Sequence, residues 1–446
     1  MVSFPQSFQE KMQQLLGEEE GLRFFESQEL PPPVSVRLHP LKGPNLYSSE
    51  RRIPWCKEGR YLSERPLFTL EPVFHAGAYY VQEAGSMLIE VLLSKILKEI
   101  ASPLVLDLCA APGGKSTHLL SMLNGKGVLV SNELIPSRNK ALRHNLAKWG
   151  YSNSIVTQNK SSEISRSALQ FDILVVDAPC SGEGLFRKEA KAIQEWSPDQ
   201  VAICSRRQQE ILHDILPALK PGGYLLYSTC TYEETENDGQ MADLIGKYGL
   251  QVCMPSEIPG GITATRYGWQ AFPHKVESEG FYCCLLRKTD ESADAKVFKK
   301  GSGAKPLPFA PSKDWLKDPL RFVFRTYAGR MHALLPETDE ALHRLSSSCF
   351  LRAAGVPLGE VKGKDFIPAP ELALSLELDR EKTRPLALSR DEALRYLKCD
   401  TQLKDSPADG FHLACFETYP LGWAKKIGHR WNNYFPKEWR ILMDTE

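Results

Sequence analysis

The sequence predicts an α/β protein with a parallel, doubly wound sheet at its centre. Between residues 101 and 288, short apolar segments of strand character alternate with longer segments of helical character. The chain has 446 residues, of which 42% are hydrophobic and 25% charged, which suits a globular protein of two or three domains. Because sheets of this class bind ligands at the carboxyl ends of their strands, the functional residues are expected at that edge.

The central region contains the clearest strand and helix signals. Strands are predicted at residues 105–108, 128–131, 155–157, 173–177 and 224–228, and helices at residues 118–123, 138–149 and 198–219. Helices that connect successive strands make those strands parallel, because a tight hairpin can join only antiparallel ones. The carboxyl ends of all these strands therefore lie along one edge.

The flanking regions are predicted to be separate domains. Residues 1–100 combine an amphipathic stretch at 8–16, a proline cluster at 31–33, a strand pattern at 34–38 and an apolar helix at 87–97. Residues 289–313 are rich in lysine, glycine and proline, which is typical of a linker. Residues 314–446 then form a last domain of mixed character, so the division is 1–100, 101–288, 289–313 and 314–446.

Composition excludes several classes of protein. There is no run of 18 apolar residues for a membrane span, and the first residues lack the pattern of a signal peptide. Eleven cysteines without a C-x-x-C pair argue against a disulfide framework or a zinc ribbon, so we expect a reduced, cytoplasmic protein without a metal site. Since 55 basic residues balance 55 acidic ones, a nucleic-acid partner would need a local basic surface.

The most informative segment is Asp107-Leu-Cys-Ala-Ala-Pro-Gly-Gly-Lys-Ser-Thr, which follows an apolar strand and opens a helix. Its small residues let a ligand approach the backbone, and the helix N-terminus offers free N–H groups to a carboxylate or phosphate. Glu133 follows the second strand, where an acid can hold ribose hydroxyls. The pattern favours an adenosine-containing ligand across the switch point of the sheet.

Two other interpretations of this segment remain open. One is a plain tight turn between a strand and a helix. The other is a phosphate-binding loop, because Gly114-Lys115-Ser116 matches the end of that motif and Asp177 follows an apolar strand, where it could hold magnesium. The first glycine of the motif is replaced by Cys109, which removes the residue that lets such a loop wrap around phosphate. An RNA-dependent ATPase is thus the alternative function.

Two cysteines lie just past neighbouring strands. Cys180 follows the fourth strand in a Pro-Cys pair, and Cys230 follows the fifth in a Thr-Cys pair. A free thiol is most often a small buried hydrophobe, and a disulfide is a further possibility. Their equivalent positions beside the loop at residues 107–115, called the glycine loop below, instead favour a shared catalytic role.

The chemistry that needs such a cysteine is methylation at C5 of cytosine. C5 is a poor nucleophile, but a thiolate that adds to C6 makes it enamine-like and able to attack a sulfonium methyl group. Asp177 could neutralise charge at N3 of the ring if it carries or shares a proton. Spacing alone does not assign the roles of Cys180 and Cys230.

At these motifs the chain resembles the Nop/Sun RNA cytosine-5 methyltransferases. The resemblance covers the D-x-C-A-A-P-G-G-K loop at 107–115, Asn132-Glu133, D-A-P-C-S-G at 177–182 and S-T-C at 228–230. Residues 80–84, 182–188, 272–275 and 279–281 are similar to one subgroup, the bacterial ribosomal small-subunit methyltransferase F group. The C-terminal region also resembles that subgroup's PUA-like RNA-binding domain, at 358–360, 419–425 and 433–437.

The resemblance implies a class I S-adenosylmethionine methyltransferase fold. This fold has a Rossmann-like, seven-stranded sheet, here with an N-terminal α+β RNA-binding domain and a C-terminal PUA-like α+β domain. It also implies S-adenosyl-L-methionine as cofactor and RNA as substrate, ribosomal RNA in preference to transfer RNA. We expect a monomer that binds no membrane.

The same resemblance implies the site residues. By resemblance, Cys230 attacks C6 and Cys180 assists product release, while Asp177 is the third catalytic candidate because of the charge at N3. The family commonly has an aspartate where this chain has Asn159, so that contact would carry no charge. The implied cofactor-binding residues are Cys109, Ala110, Ala111, Pro112, Gly113, Gly114, Lys115, Glu133, Arg138, Asn159 and Asp177.

Two basic segments are candidate RNA contacts. Residues 423–440 interleave lysines and arginines with aromatic rings, which suits single-stranded RNA, and Arg187-Lys188 could hold phosphates beside the catalytic loop. The alternative for both is an ordinary solvated charged face. His118 is predicted to be a packed or capping residue rather than a ligand. A non-catalytic RNA-binding protein that keeps the fold as a scaffold is the third functional hypothesis, which the presence of both Cys230 and Asp177 argues against.

Overall fold

The computed structural model describes residues 4–167, 169–289, 313–327, 329–363, 365–403 and 408–443. The predicted linker, residues 289–313, lies almost entirely outside this described part. Among the described residues, no helix is long and apolar enough to cross a membrane.

The N-terminal region consists of a helical hairpin and a small antiparallel sheet. The hairpin is formed by α1 (Gln6–Leu16) and α2 (Glu18–Gln28). The sheet has the order β2-β1-β3, with β1 (Val34–Leu38), β2 (Gly59–Leu62) and β3 (Tyr79–Val81), and α3 (Pro72–His75) precedes its last strand. The predicted apolar helix is α4 (Ile89–Glu99), which leads into the central sheet.

The central region is the predicted parallel sheet with helices on both faces. Its parallel strands are β4 (Leu104–Asp107), β5 (Val128–Asn132), β6 (Ser154–Thr157), β7 (Phe171–Asp177) and β8 (Leu219–Thr229). The helices are α5 (Gly114–Leu123), α6 (Pro136–Trp149), α7 (Ser161–Arg166), α8 (Ala190–Glu195), α9 (Pro198–Ile215) and α10 (Asp238–Tyr248). Four further strands follow: β9 (Gln251–Val252), β10 (Ile262–Ala264), β11 (Trp269–Ala271) and β12 (Phe281–Arg287).

The C-terminal region forms two more sheets and also adds a strand to the central one. The first sheet contains β13 (Val323–Tyr327), β14 (Arg330–Leu334), β16 (Val356–Lys362) and β17 (Asp365–Pro368). The second contains β18 (Pro385–Leu388), β19 (Gly410–Phe416), β20 (Tyr419–Ile427) and β21 (Arg430–Asn433). The helices of this region are α11 (Pro336–Leu345), α12 (Pro370–Leu374) and α13 (Arg390–Leu397), and the added strand is β15 (Leu351–Ala354).

The strand order of the central sheet explains how the site is built. Within the described residues the order is β10-β11-β12-β8-β7-β4-β5-β6-β15, and β9 pairs with β12, which makes ten strands. The seven strands that the resemblance implied are the run from β11 to β6. The switch point lies at β4, since the chain runs outward through β5 and β6 on one side and through β7 and β8 on the other.

Burial of both faces explains why the parallel strands are almost wholly apolar. Along β4, Val105 packs into the core on one face of the sheet and Leu106 into the core on the other. Leu129 and Val130 divide between the same two cores in the neighbouring strand. Strands buried on both sides carry near-continuous apolar runs, which is the signal that predicted them.

The end of the predicted helix at 198–219 differs from the structure. The α-helix ends at Ile215, and β8 begins at Leu219, earlier than the predicted start at residue 224. Pro217 and Pro221 lie in this segment and cannot donate the backbone hydrogen bonds that a helix needs. The chain therefore turns into the sheet at once, with a register shift against β7 at Phe171.

One partly buried lysine contacts all three regions. Lys42 Nζ donates to the backbone carbonyls of Ala76 at 3.2 Å, Lys148 at 2.5 Å and Leu374 at 2.7 Å. These acceptors lie in the N-terminal, central and C-terminal regions respectively. Burial lowers the pKa of Lys42 to about 7. One side chain thus satisfies three carbonyl groups at the junction.

Replacing Lys42 by alanine should destabilise the junction by about 2–4 kcal/mol, since it leaves buried carbonyl groups without a donor. The measurement is the urea midpoint of the full chain. Lys57→Ala is the matched control, because the Lys57 side chain is 83% exposed and its removal should leave the midpoint unchanged. Equal midpoints for the two variants would contradict a role for Lys42 at the junction.

Candidate active site

The glycine loop between β4 and α5 is held from the side by α6. Arg138 Nη2 donates to the carbonyl of Ala111 at 2.9 Å, and Asn145 Nδ2 donates to that of Pro112 at 2.8 Å. Gly113 has a φ of 115°, and a Cβ there would lie 3.3 Å from Leu142 Cδ1, so the loop needs glycine at this position. The loop thus brings the N–H groups of the first turn of α5 to the carboxyl edge of the sheet.

The first residue of the loop motif has a structural role. Asp107 is fully buried, and its Oδ2 accepts a hydrogen bond from Ser116 Oγ at 2.6 Å. Ser116 Oγ also lies 2.9 Å from Ser131 Oγ on the neighbouring strand. Burial raises the pKa of Asp107 to about 7. This carboxyl group therefore fixes the start of α5 against β4 and β5.

Glu133 lies directly after β5, beside the loop. Its Oε1 accepts the N–H of Ile135 at 2.9 Å, and its Oε2 lies 3.6 Å from Arg138 Nη1. That second distance is beyond a hydrogen bond, so Oε2 keeps its capacity to accept hydrogen bonds from a ligand. Vicinal hydroxyl groups of a ribose are donors that suit such a carboxylate.

Asn159 is engaged in holding β15. Its Nδ2 donates to Glu163 Oε2 at 3.0 Å, and its Oδ1 accepts the N–H of Phe350 at 2.9 Å. Phe350 immediately precedes β15. Because both ends of the amide already have partners in the protein, a contact between Asn159 and a cofactor stays a prediction.

An ion pair joins the loop to the end of β7. Lys115 Nζ lies 2.8 Å from Asp177 Oδ1, which also accepts a hydrogen bond from Ser228 Oγ at 2.8 Å. Burial alone would lower the pKa of Lys115, but the charge of Asp177 outweighs it, so the pKa is raised. The site therefore contains a fixed cation with a carboxylate whose Oδ2 takes part in neither contact.

The two cysteines are brought together as the sequence predicted. Cys180 Sγ and Cys230 Sγ are 3.1 Å apart, and the N–H of Cys230 lies 3.4 Å from Cys180 Sγ. Both residues are partly exposed and neither is in a disulfide. The hydrogen bond to Cys230 and burial raise the pKa of Cys180 well above its usual value. Cys180 therefore keeps its proton and can donate a hydrogen bond to Cys230.

A buried glutamate supports the loop that carries Cys230. Glu183 accepts hydrogen bonds from Thr231 Oγ1 at 3.0 Å, the N–H of Tyr232 at 3.0 Å and Trp196 Nε1 at 2.9 Å. Burial raises the pKa of Glu183 to about 7. Since Thr231 directly follows Cys230, this carboxyl group fixes the backbone beside the sulfur.

A second buried glutamate supports the loop that carries Cys180. Glu236 Oε2 accepts the N–H of Ser181 at 3.0 Å and Gln208 Nε2 at 2.7 Å. Gln208 Nε2 also donates to the carbonyl of Pro179 at 3.0 Å. The residues on either side of Cys180 are therefore held by a network that reaches into α9.

The N-terminal hairpin packs directly on these two loops. Lys11 of α1 contacts the carboxylate of Glu183 and lies 2.7 Å from Glu233 Oε1. Around this ion pair, aromatic rings of the hairpin pack against rings of the loops that carry the two cysteines. Phe8 packs against Phe186, and Phe24 packs against Tyr232. Sequence reasoning did not identify Lys11, which carries no motif signal, or Glu183, although the latter lies within the subgroup motif at 182–188.

Three potential metal ligands lie together behind the loop. Glu90 Oε2 is 3.0 Å from Cys56 Sγ and 2.9 Å from His118 Nε2. Hydrogen bonds account for these distances, and burial lowers the pKa of His118 to about 4, which keeps its ring neutral. His118 is 1% exposed, so it is packed as predicted, while the prediction that it is not a ligand stays a prediction.

Of the two basic segments proposed from the sequence as RNA contacts, the structure corrects Arg187 and leaves the exposed Lys188 a prediction. Arg187 is not free for phosphates, because its side chain is 5% exposed and pairs with Glu279 at 2.8 Å. In the C-terminal tail, Trp431 is buried and the ring of Trp439 stacks on His144, with centroids 4.3 Å apart. These two rings are therefore packed, whereas Arg430, Lys437 and Arg440 are exposed and stay predicted RNA contacts.

Three segments of the chain match known protein families. Residues 94–287 match the family described as 16S rRNA methyltransferase RsmB/F. Residues 4–84 match the N-terminal domain of 16S rRNA methyltransferase RsmF, and residues 383–441 match the methyltransferase RsmF PUA domain.

Similar whole proteins include enzymes named ribosomal RNA small subunit methyltransferase F. That of Erwinia tasmaniensis is 31% identical, with 98% of this chain and 97% of the relative covered. That of Escherichia coli O139:H28 is 31% identical, with 86% and 84% covered.

Among solved structures, a methyltransferase homologue protein from Pyrococcus horikoshii is 28% identical, with a TM-score of 0.56 and coverage of 64% of this chain and 96% of that one. NSun6 from the same organism is 19% identical, with a TM-score of 0.56 and coverage of 65% and 100%, and shows the shared fold.

Proposed function

Because the chain belongs to the family of 16S rRNA methyltransferases RsmB/F, we propose that it methylates C5 of a cytosine in ribosomal RNA, with Cys230 as covalent nucleophile. The observation that carries this proposal is the pair of sulfurs, 3.1 Å apart, at the carboxyl edge of the sheet beside the glycine loop. Methylation of C5 is a reaction that requires a thiolate next to the methyl donor.

The residues at the loop fit S-adenosylmethionine. The backbone conformation at Gly113 turns the chain into α5, the N-terminus of α5 suits the carboxylate of its methionine part, and Glu133 Oε2 can accept its ribose hydroxyls. When bound, this cofactor supplies a methyl group on a positively charged sulfur. The residues proposed to hold it are Cys109, Ala110, Ala111, Pro112, Gly113, Gly114, Lys115, Glu133, Arg138, Asn159 and Asp177.

The first step that we propose is addition of the Cys230 thiolate to C6 of the cytosine. A bond forms between Sγ and C6 while the C5–C6 double bond becomes a single bond, and its electrons become available at C5. C5 would take the methyl group as the bond between that methyl group and the sulfonium sulfur breaks, which would leave the sulfur as a neutral thioether. Asp177 Oδ2 can accept a hydrogen bond from the 4-amino group, while the neighbouring Lys115 ammonium favours the negative charge that develops toward N3. This assigns the charge-neutralising role to Lys115 rather than to a protonated Asp177.

The second step is elimination. The proton on C5 passes to a base at the site, the C5–C6 double bond forms again, and the bond between C6 and Sγ breaks so that Cys230 leaves as a thiolate. The Cys180 thiol lies 3.1 Å from the departing sulfur and can donate a hydrogen bond to it. A better-solvated leaving group speeds release of the product.

Mapping of 5-methylcytosine tests this function directly. RNA from cells with and without the protein is compared by bisulfite sequencing, and small-subunit ribosomal RNA is expected to lose one or more methylated cytosines. Loss of methylation from a base other than cytosine would agree with a ribosomal RNA methyltransferase. It would contradict C5 of cytosine as the atom that is methylated. Loss confined to transfer RNA would establish the alternative substrate. The phosphate-loop ATPase is not retained, because the family is a methyltransferase family and Cys109 stands in place of the first glycine.

A further inference from the structure

A cavity of about 850 Å³ lies between the central sheet and the C-terminal region. One wall is α6, another is formed by β14 and β15, and the tail at residues 434–439 closes it. It is distinct from the catalytic cleft, because the glycine loop contacts Arg138 and Asn145 on α6, whereas Lys140, Arg143 and His144 line the cavity.

The cavity has a fixed position relative to the catalytic cysteines. β15 pairs with β6 and so belongs to the sheet whose other strands position Cys180 and Cys230. On the other side, the ring of Trp439 stacks on His144 with an interplanar angle of 13°, which attaches the tail to α6. A ligand bound here would therefore be held at a set distance from the reacting base.

The lining carries an excess of positive charge. Lys140, Arg143, Arg330 and Arg352 all line the cavity and are all exposed, and Glu371 and Glu438 oppose them. Arg330 lies 3.5 Å from Glu371, and Arg352 donates to Gln158 at 2.8 Å. Arg143 has no hydrogen bond or ion pair within the described part of the chain. Partial burial and the charge of Arg352 lower the pKa of Arg143.

The cavity wall also contains two carboxylate groups, those of Glu371 and Glu438. Glu371 Oε2 is buried and has no hydrogen-bond partner among the described residues. Glu438 is exposed, and a plain anion would satisfy the arginines but not its carboxylate. A nucleotide offers both a phosphate for the guanidinium groups and N–H or O–H donors on its base and ribose. The volume also lies within the range of sites that hold small organic ligands.

We propose that this cavity is a second RNA-binding site, which holds a phosphodiester and nucleoside of single-stranded RNA through Arg143 and Arg352. This proposal rests on the proposed function only in taking RNA as the partner. It would hold a segment of the substrate away from the target cytosine and so fix which part of the RNA reaches Cys230. This surface differs from the tail proposed from the sequence, because its cations come from α6, β14 and β15.

Binding of a short fluorescein-labelled single-stranded RNA to the full chain, followed by anisotropy at several salt concentrations, tests the site. For Arg143→Ala/Arg352→Ala the affinity should fall about tenfold or more. The slope of log K against log salt should also become shallower by about 1.4, at ~0.7 for each lost contact with a single strand. The control Lys95→Ala/Lys98→Ala removes two exposed charges from α4 and should change neither quantity.

Two further variants separate the possible outcomes. Arg143→Lys/Arg352→Lys keeps the charge and should restore the salt slope, which would not happen if the alanine variant were simply misfolded. Cys230→Ala should bind this RNA with unchanged affinity, because the cavity is separate from the catalytic cleft. The binding results therefore do not depend on whether Cys230 is the nucleophile. Equal slopes of log K against log salt for Arg143→Ala/Arg352→Ala and for the control Lys95→Ala/Lys98→Ala would overturn the site. Competition by polyglutamate equal to that of RNA would also overturn it, in favour of an acidic protein partner.

Discussion

Cys230→Ala should abolish methylation while leaving cofactor binding intact. The variant lacks the atom that adds to C6, so C5 never gains the electron density needed to take a methyl group. Removal of a covalent nucleophile elsewhere costs on the order of 10⁶-fold in rate, and we expect a loss of that size here. The measurement is transfer of labelled methyl groups to small-subunit RNA, with S-adenosylmethionine affinity determined by calorimetry.

The matched control is a cysteine outside the site. Cys253 is also a partly buried free thiol, next to β9, and Cys253→Ala should retain full activity. Cys230→Ser tests the chemistry more narrowly, because a hydroxyl group keeps the shape and loses the thiolate. Turnover by either Cys230 variant within tenfold of the unmodified protein would remove Cys230 from the mechanism.

The sequence predicted the parts of the fold that depend on local pattern. β4, β5 and β7 are buried on both faces, so their apolar runs were visible without any knowledge of their partners. The two cysteines could be placed together for a related reason, since residues after neighbouring parallel strands must share one edge. The predicted family and fold class are confirmed by the matches over the whole chain.

Contacts between distant segments could not be predicted in this way. β15 is a short strand, and its pairing with β6 joins residues nearly two hundred positions apart. Nothing in its own sequence indicates which strand it pairs with. Arg187 shows the same limit for charge, because a basic residue beside a catalytic loop looks exposed until Glu279 is found next to it. The role of Lys42 likewise depends on carbonyl groups from three regions.

The contacts that support the loops of Cys180 and Cys230 also come from distant segments of the chain. Glu183 and Glu236 are buried carboxyl groups that each hold one cysteine loop, and Lys11 reaches Glu183 from the N-terminal hairpin. A single sequence shows these residues as ordinary charges. Their arrangement means that the N-terminal region contributes to the geometry around the sulfurs.

Cys180→Ala should leave addition and methyl transfer possible but slow the release of product. Without the thiol that donates to the departing sulfur, Cys230 leaves less readily, and turnover should fall by about 10²–10⁴-fold, the range for loss of a proton donor. The methylated base then stays bonded to Cys230. A covalent protein–RNA adduct that resists denaturation should therefore accumulate when RNA and S-adenosylmethionine are both present, visible as a slower band in a denaturing gel.

The double variant Cys180→Ala/Cys230→Ala decides which sulfur carries the RNA. It should form no adduct, because the only proposed attachment point is gone, whereas an adduct in this variant would place the bond elsewhere. Cys180→Ser should show an intermediate amount, since a hydroxyl group can still donate a hydrogen bond across the space between the two loops. If Cys180→Ala turns over normally and no adduct survives denaturation, the 3.1 Å contact is structural and release depends on another group.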